Sequence, residues 1–73
     1  MKTIITNITP IELKDGTKLM RISCPPIGKS QNNILIYEKQ DYFNSKPLTV
    51  GQTVDLWWNK EKKKFTGVLR PRA

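Results

Sequence analysis

The sequence predicts an all-β protein: one domain over residues 1–73, built as a small five-stranded antiparallel barrel. Three observations lead there. Apolar and polar residues alternate with a period of two along most of the chain. Asp15-Gly16 lies between two such stretches, and Asp-Gly is the strongest short-range hairpin signal. Pro10, Pro25, Pro26 and Pro47, with four glycines, cut the chain into pieces too short for a convincing helix.

The first strand starts at residues 3–8, a β-branched run with Ile4 and Ile8 on one face and Thr6 between them. Pro10 cannot donate to a ladder, so a bend, a bulge or a sheet edge is expected there. The apolar phase changes parity across it, since Ile11 and Leu13 follow Ile5 rather than Ile4. A bulge produces such a shift and lets one long strand curve around a barrel. After the Asp15-Gly16 turn, a second strand runs from Lys18 to Cys24, with Met20, Ile22 and Cys24 inward and Leu19, Arg21 and Ser23 outward.

Pro25-Pro26 ends that strand, and residues 27–33 (IGKSQNN) form a polar loop. Residues 34–38 (ILIYE) are apolar enough for a central third strand. Asp41-Tyr42-Phe43 can close one helical turn, but Asn44-Ser45-Lys46-Pro47 prevents a longer helix. Residues 48–52 turn into a fourth strand, 53–58, where Val54, Leu56 and Trp58 share a face. A charged hairpin turn over 59–63 leads to the fifth strand, 64–70. Closing five short strands into a barrel removes the edges that a flat sheet leaves open. A chain of 73 residues has a marginal core, so homodimerisation through an edge strand is also expected.

Composition excludes several classes of function. There is no histidine and only one cysteine, which rules out disulfide scaffolds, Cys/His metal centres and imidazole catalysis. The six carboxylates form no acid–base or metal-binding motif, and no glycine-rich loop precedes a helix. The expectation is a binding protein, not an enzyme, with no cofactor and no metal. No apolar run reaches the roughly 18 residues of a membrane helix, and residues 1–10 lack the roughly 7–15-residue apolar core of an export signal. A cytoplasmic protein with no membrane partner is therefore expected. Cys24 lies on the apolar phase and reads as an inert core thiol.

Charge is concentrated at one end. Residues 1–59 hold seven Lys/Arg and five Asp/Glu, net +2, whereas residues 60–73 hold six Lys/Arg against Glu61 alone, net +5. A solubilising surface intersperses its signs. A single-sign patch fits a polyanion, whose counterions are released as each phosphate is neutralised. Trp57 and Trp58 are adjacent on a strand and must point to opposite faces. Trp58 follows Val54 and Leu56 inward, and Trp57 follows Thr53 and Asp55 outward. An outward indole beside a lysine-rich turn needs a cover: a stacked base, the carboxy-terminal tail or a dimer partner.

Tyr37 faces outward with Leu35 or inward with the core, depending on which face of its strand is buried. Tyr42 and Phe43 lid the barrel or form a loop-borne stacking platform. Phe65 shares parity with Leu69 and is expected in the core. Arg21, mid-strand and exposed, suits phosphate forks or base stacking, with a cross-strand ion pair to Glu38 or Asp55 as the alternative. The candidate nucleic-acid-binding residues are thus Lys18, Arg21, Tyr37, Tyr42, Trp57, Lys60, Lys62, Lys63, Lys64, Arg70 and Arg72.

The chain resembles the oligonucleotide-binding (OB) fold, and in size it is similar to the filamentous-phage single-stranded DNA-binding proteins. The likeness rests on the long first strand bent near Pro10, the stretch DGTKLMRISC at residues 15–24, PLTVGQTVDL at 47–56 and the ending VLRPRA at 68–73. It implies a protein that coats displaced strands as a dimer during replication of a phage or mobile element. Exposed aromatics and basic side chains would do the binding, here Arg21, the Trp57 region and the basic hairpin. The middle of this chain is shorter, so a protruding dimerisation hairpin is not implied. An SH3-like barrel has the same strand count with a different pairing order. The functional expectation is binding of single-stranded DNA or RNA without sequence preference. The rival is a small protein–protein module or inhibitor docking on an acidic partner.

Overall fold

The computed structural model describes residues 2–29 and 31–70. It is all-β apart from one short helix. Its strands are β1 (Lys2–Ile4), β2 (Asn7–Glu12), β3 (Lys18–Cys24), β4 (Ile34–Lys39), β5 (Thr53–Asn59) and β6 (Lys64–Leu69), with α1 (Gln40–Ser45) between β4 and β5. Two antiparallel three-stranded sheets form, in the orders β1-β5-β6 and β2-β3-β4.

The expected first strand is two segments, and it bends earlier than Pro10. The Ile5 N–H donates to the Gln52 carbonyl (3.0 Å), and the Ile5 carbonyl accepts from the Gly51 N–H (2.8 Å). One residue later the Thr6 N–H donates to the Ser23 carbonyl (2.9 Å), and the Thr6 hydroxyl donates to the same oxygen at 3.2 Å. The chain thus passes from one sheet to the other between Ile5 and Thr6. Ile5 is fully buried and Ile4 exposed, while Ile8 packs against the core, so Ile4 and Ile8 do not share a face as expected. Ser23, expected outside, is buried where Thr6 crosses it. Pro10 lies within β2, paired with Met20, on a strand at the end of its sheet's order, where a missing donor breaks no ladder bond.

The first hairpin matches expectation. Leu13 N–H donates to the Thr17 carbonyl at 2.8 Å, Gly16 takes the positive φ of 90° that the turn requires, and the Asp15 carboxylate accepts from the Thr17 N–H at 2.9 Å. β3 covers the expected residues, with Ile22 and Cys24 fully buried and Met20 packed against them. On β4 the alternation resolves in favour of Ile36 as the core face, leaving Leu35 and Tyr37 exposed.

The helical turn glimpsed at residues 41–43 extends to α1 and drives Phe43 into the core. Gln40 anchors it, donating its side-chain amide to the Leu19 carbonyl at 3.1 Å. Ile5, Ile22, Cys24, Ile36, Phe43, Leu48, Val54, Leu56 and Val68 make one core fed by both sheets and the helix.

β4 and β6 run side by side in the same direction. Glu38 meets Arg70 at one end, and Ile34, Leu35 and Phe65 line a common groove at the other. Among the described residues no ladder joins the two strands, so the expected five-stranded closure is not made by hydrogen bonds. β5 and β6 pair with a register shift: Trp57 faces Gly67 and Trp58 faces Phe65, leaving Thr66 as an extra residue. The bulge inverts the phase along β6. Phe65 and Val68 both turn toward the core, and Leu69, expected to share the face of Phe65, is exposed.

Candidate nucleic-acid interface

Because Val54, Leu56, Ile36, Ile22 and Val68 are buried, the residues alternating with them form the outer face of the strands. That face carries Trp57 on β5, Gly67 and Leu69 on β6, Leu35 and Tyr37 on β4, and Arg21 on β3. Trp57 is 58% exposed, and Tyr37, Leu35 and Leu69 are also exposed. Gly67, opposite Trp57, has no side chain to shield the indole. A Cβ there would lie 3.5 Å from the Trp57 Cβ, ordinary contact, so space does not require the glycine.

Arg21 pairs in register with Thr9 on one side and Tyr37 on the other. Arg21, expected to be exposed, is half-buried, and its Nε is buried with no hydrogen-bond partner. The expected alternative of an Arg21–Glu38 ion pair does not form, because Glu38 belongs to Arg70. Two parallel bonds, Nη1 to Oε1 at 2.7 Å and Nη2 to Oε2 at 2.6 Å, join those side chains, which are only 12% and 10% exposed. Arg70 Nε also donates to the Lys46 carbonyl at 2.7 Å, and the guanidinium lies 4.8 Å from the centre of the Tyr42 ring.

That cluster revises two of the sequence-based site residues. Arg70 has its charge neutralised in place and its guanidinium committed to holding β6, β4 and α1 together. Tyr42 has one face of its ring occupied by that cation. Phe43, not Tyr42, enters the core, and Tyr42 stays half exposed.

The basic hairpin is built as expected. Asn59 accepts from the Lys62 N–H at 3.0 Å, and Lys63 takes the left-handed conformation at φ 52° to close the turn. Lys60, Lys62, Lys63 and Lys64 are exposed. No ion pair engages them among the described residues. Lys18 lies elsewhere. β3 carries it about 20 Å from Cys24, at ~3.3 Å per residue, to a polar cleft shared with Thr17, Lys39, Gln40, Asp41 and Asn44. It joins neither the hairpin nor Trp57. Arg72 lies outside the described residues.

Trp58 was missed. It is on the core-facing phase of β5 but beyond the end of the core, and it is 46% exposed rather than buried. Its ring meets Phe65 edge-on, with centroids 5.0 Å apart at 75°. Together they line a groove of about 420 Å³ with Ile27, Asn33, Ile34, Leu35, Lys63 and Lys64. Simple alternation hides this, because the bulge at Thr66 that brings Phe65 opposite Trp58 has no sequence signature.

Among the described residues, no helix is long and apolar enough to cross a membrane, and no group of three or more Cys, Asp or Glu side chains could hold a metal ion. Comparison with family models, characterised proteins and solved structures gives no significant match.

Proposed function

We propose that this protein binds single-stranded nucleic acid without sequence preference, through the outer face of β5, β6, β4 and β3 and the β5–β6 hairpin. The observation that carries the reading is Trp57, an indole 58% exposed opposite a glycine and two residues before a turn of unpaired lysines. Stacking platforms beside backbone-tracking cations are how single strands are held without base readout.

The pairing pattern supports an OB-like reading. With β1 and β2 counted as one bent strand, five strands remain, and the first belongs to both sheets. The OB fold is a partly open barrel that uses the face of its second and third strands, with the loops after the first and fourth, to hold oligonucleotides. Here those parts are Arg21, Leu35 and Tyr37, the Asp15 turn beside Lys18, and residues 60–63. Coating of displaced strands in replication of a phage or mobile element is the process such a binder suits, and a binding role needs no catalytic group.

Titration with an unstructured oligonucleotide tests the proposal. Tryptophan emission should be quenched, and log affinity should fall against log salt with a slope of about −0.7 per phosphate contacted. Trp57→Ala should stay folded and lose ~1–3 kcal/mol of oligonucleotide affinity. Absence of binding at low salt, or a salt-independent affinity, would overturn the reading.

A further inference from the structure

The β4–β6 seam is closed at one end and open at the other. Glu38 and Arg70 clamp the closed end. At the open end the groove of about 420 Å³ sits between the start of β4 and the start of β6. That volume lies within the range of small-ligand sites. Its walls are apolar and aromatic: Trp58, Phe65, Leu35 and Ile34. Lys63 and Lys64 line it as well, and among the described residues no carboxylate does.

We propose that this groove is an insertion slot for one unstacked nucleobase of a bound strand. The inference rests on the single-strand reading and adds a second, inward aromatic contact to the outer platform at Trp57. Trp58 and Phe65 meet at 75° and so form a corner, one ring offering a face and the other an edge. A flat heterocycle fills such a corner by stacking on one wall while its edge abuts the other. The amide of Asn33 supplies a donor and an acceptor for the base edge. Lys63 and Lys64 neutralise the flanking phosphates.

Charge selects the occupant. An apolar peptide would gain little from two lysines, whereas every nucleotide carries an anion next to a flat ring. The slot also continues the outer interface, because Trp57 and Trp58 are consecutive and Lys63 and Lys64 belong to the basic hairpin. A strand crossing the outer face at Trp57 need only turn one base over the β6 edge to reach it.

Labelling with 5-fluorotryptophan gives one fluorine resonance for each indole, and Trp57→Phe assigns them. Binding is followed separately by anisotropy of a dye-labelled oligothymidylate. The proposal expects both resonances to shift on binding, with the Trp58 shift lost when an abasic strand of equal charge replaces the oligonucleotide. It also expects Trp58→Leu to weaken binding by roughly 5–150-fold, equivalent to ~1–3 kcal/mol per stacked base. Binding by anisotropy with an unmoved Trp58 resonance overturns the slot and leaves the single-strand reading standing. No anisotropy change at low salt overturns that reading itself. A Trp58 shift caused by an acidic apolar hexapeptide, and not by the oligonucleotide, would make the groove a peptide site and overturn the proposal.

Discussion

Individual residues show how a small surface divides its chemistry. Trp57 and Trp58 are neighbours in sequence with different surroundings: one indole lies over a glycine on the outer face, the other against Phe65 at the lip of the core. Cys24 is the opposite case, a reactive group made inert. It is fully buried, and burial raises its thiol above the ordinary value of 9.0. A disulfide reagent should therefore label Cys24 only as fast as the protein opens, and denaturant should release rapid labelling. Fast native-state labelling would contradict the burial. Asp15 is fully exposed, and the bond it accepts from the Thr17 N–H holds its carboxyl below the usual 3.8. A depressed folded-state value means the turn's stabilisation is fully present above that pH and lost as pH falls through the lower value. The Asp15 carboxyl carbon, followed by NMR, should titrate below 3.8; a midpoint at or above it would remove the turn bond from the account.

At the scale of elements, the hairpin and the clamp separate the two roles of the basic residues. Lys63 holds a left-handed conformation that costs a side chain about 1–2 kcal/mol. Lys63→Gly should relieve part of that strain, raising stability by up to about 1 kcal/mol, while removing one cation from the hairpin. Urea unfolding and salt-dependent binding should then move in opposite directions, with a more stable protein and a salt slope shallower by about 0.7. Arg70 behaves differently, because its partners are Glu38, Lys46 and Tyr42. Arg70→Leu leaves Glu38 nearly buried without a counter-charge, and breaking such a pair costs about 3–5 kcal/mol. The double change Glu38→Leu with Arg70→Leu should recover much of that loss in urea unfolding. Binding by the refolded double variant should keep the wild-type salt slope; a slope shallower by a full phosphate would return Arg70 to the interface.

For the molecule as a whole, the organising event is the hand-over of the first strand from one sheet to the other at Ile5 and Thr6. It sets two three-stranded sheets around one core, with β6 of one beside β4 of the other; Trp57 and Leu69 lie on the outer face of the first sheet, and Leu35, Tyr37 and Arg21 on that of the second. A basic hairpin projects at one end of the β4–β6 seam and an internally neutralised ion pair closes the other. The net charge of +7 is therefore not spread evenly over the molecule. Lys18 and Lys39 share a cleft on β3, β4 and the helix, at the far end of β3 from the hairpin lysines.

Local patterns in the chain were enough for the all-β class, the Asp15-Gly16 hairpin, β3 to the residue, the outward Trp57 and the concentration of lysines after Asn59. Each depends on near neighbours: alternation, a turn dipeptide, a charge run. The parts that depended on distant residues came from the folded molecule alone. The strand crossing at Ile5, the bulge that pairs Phe65 with Trp58, and the capture of Arg70 by Glu38 32 positions away each join segments far apart in the chain. A period-two pattern records which side a residue faces within its own strand. It carries no record of where a strand changes sheets, slips register or meets a counter-charge, since those outcomes are set by the energy of packing the whole core.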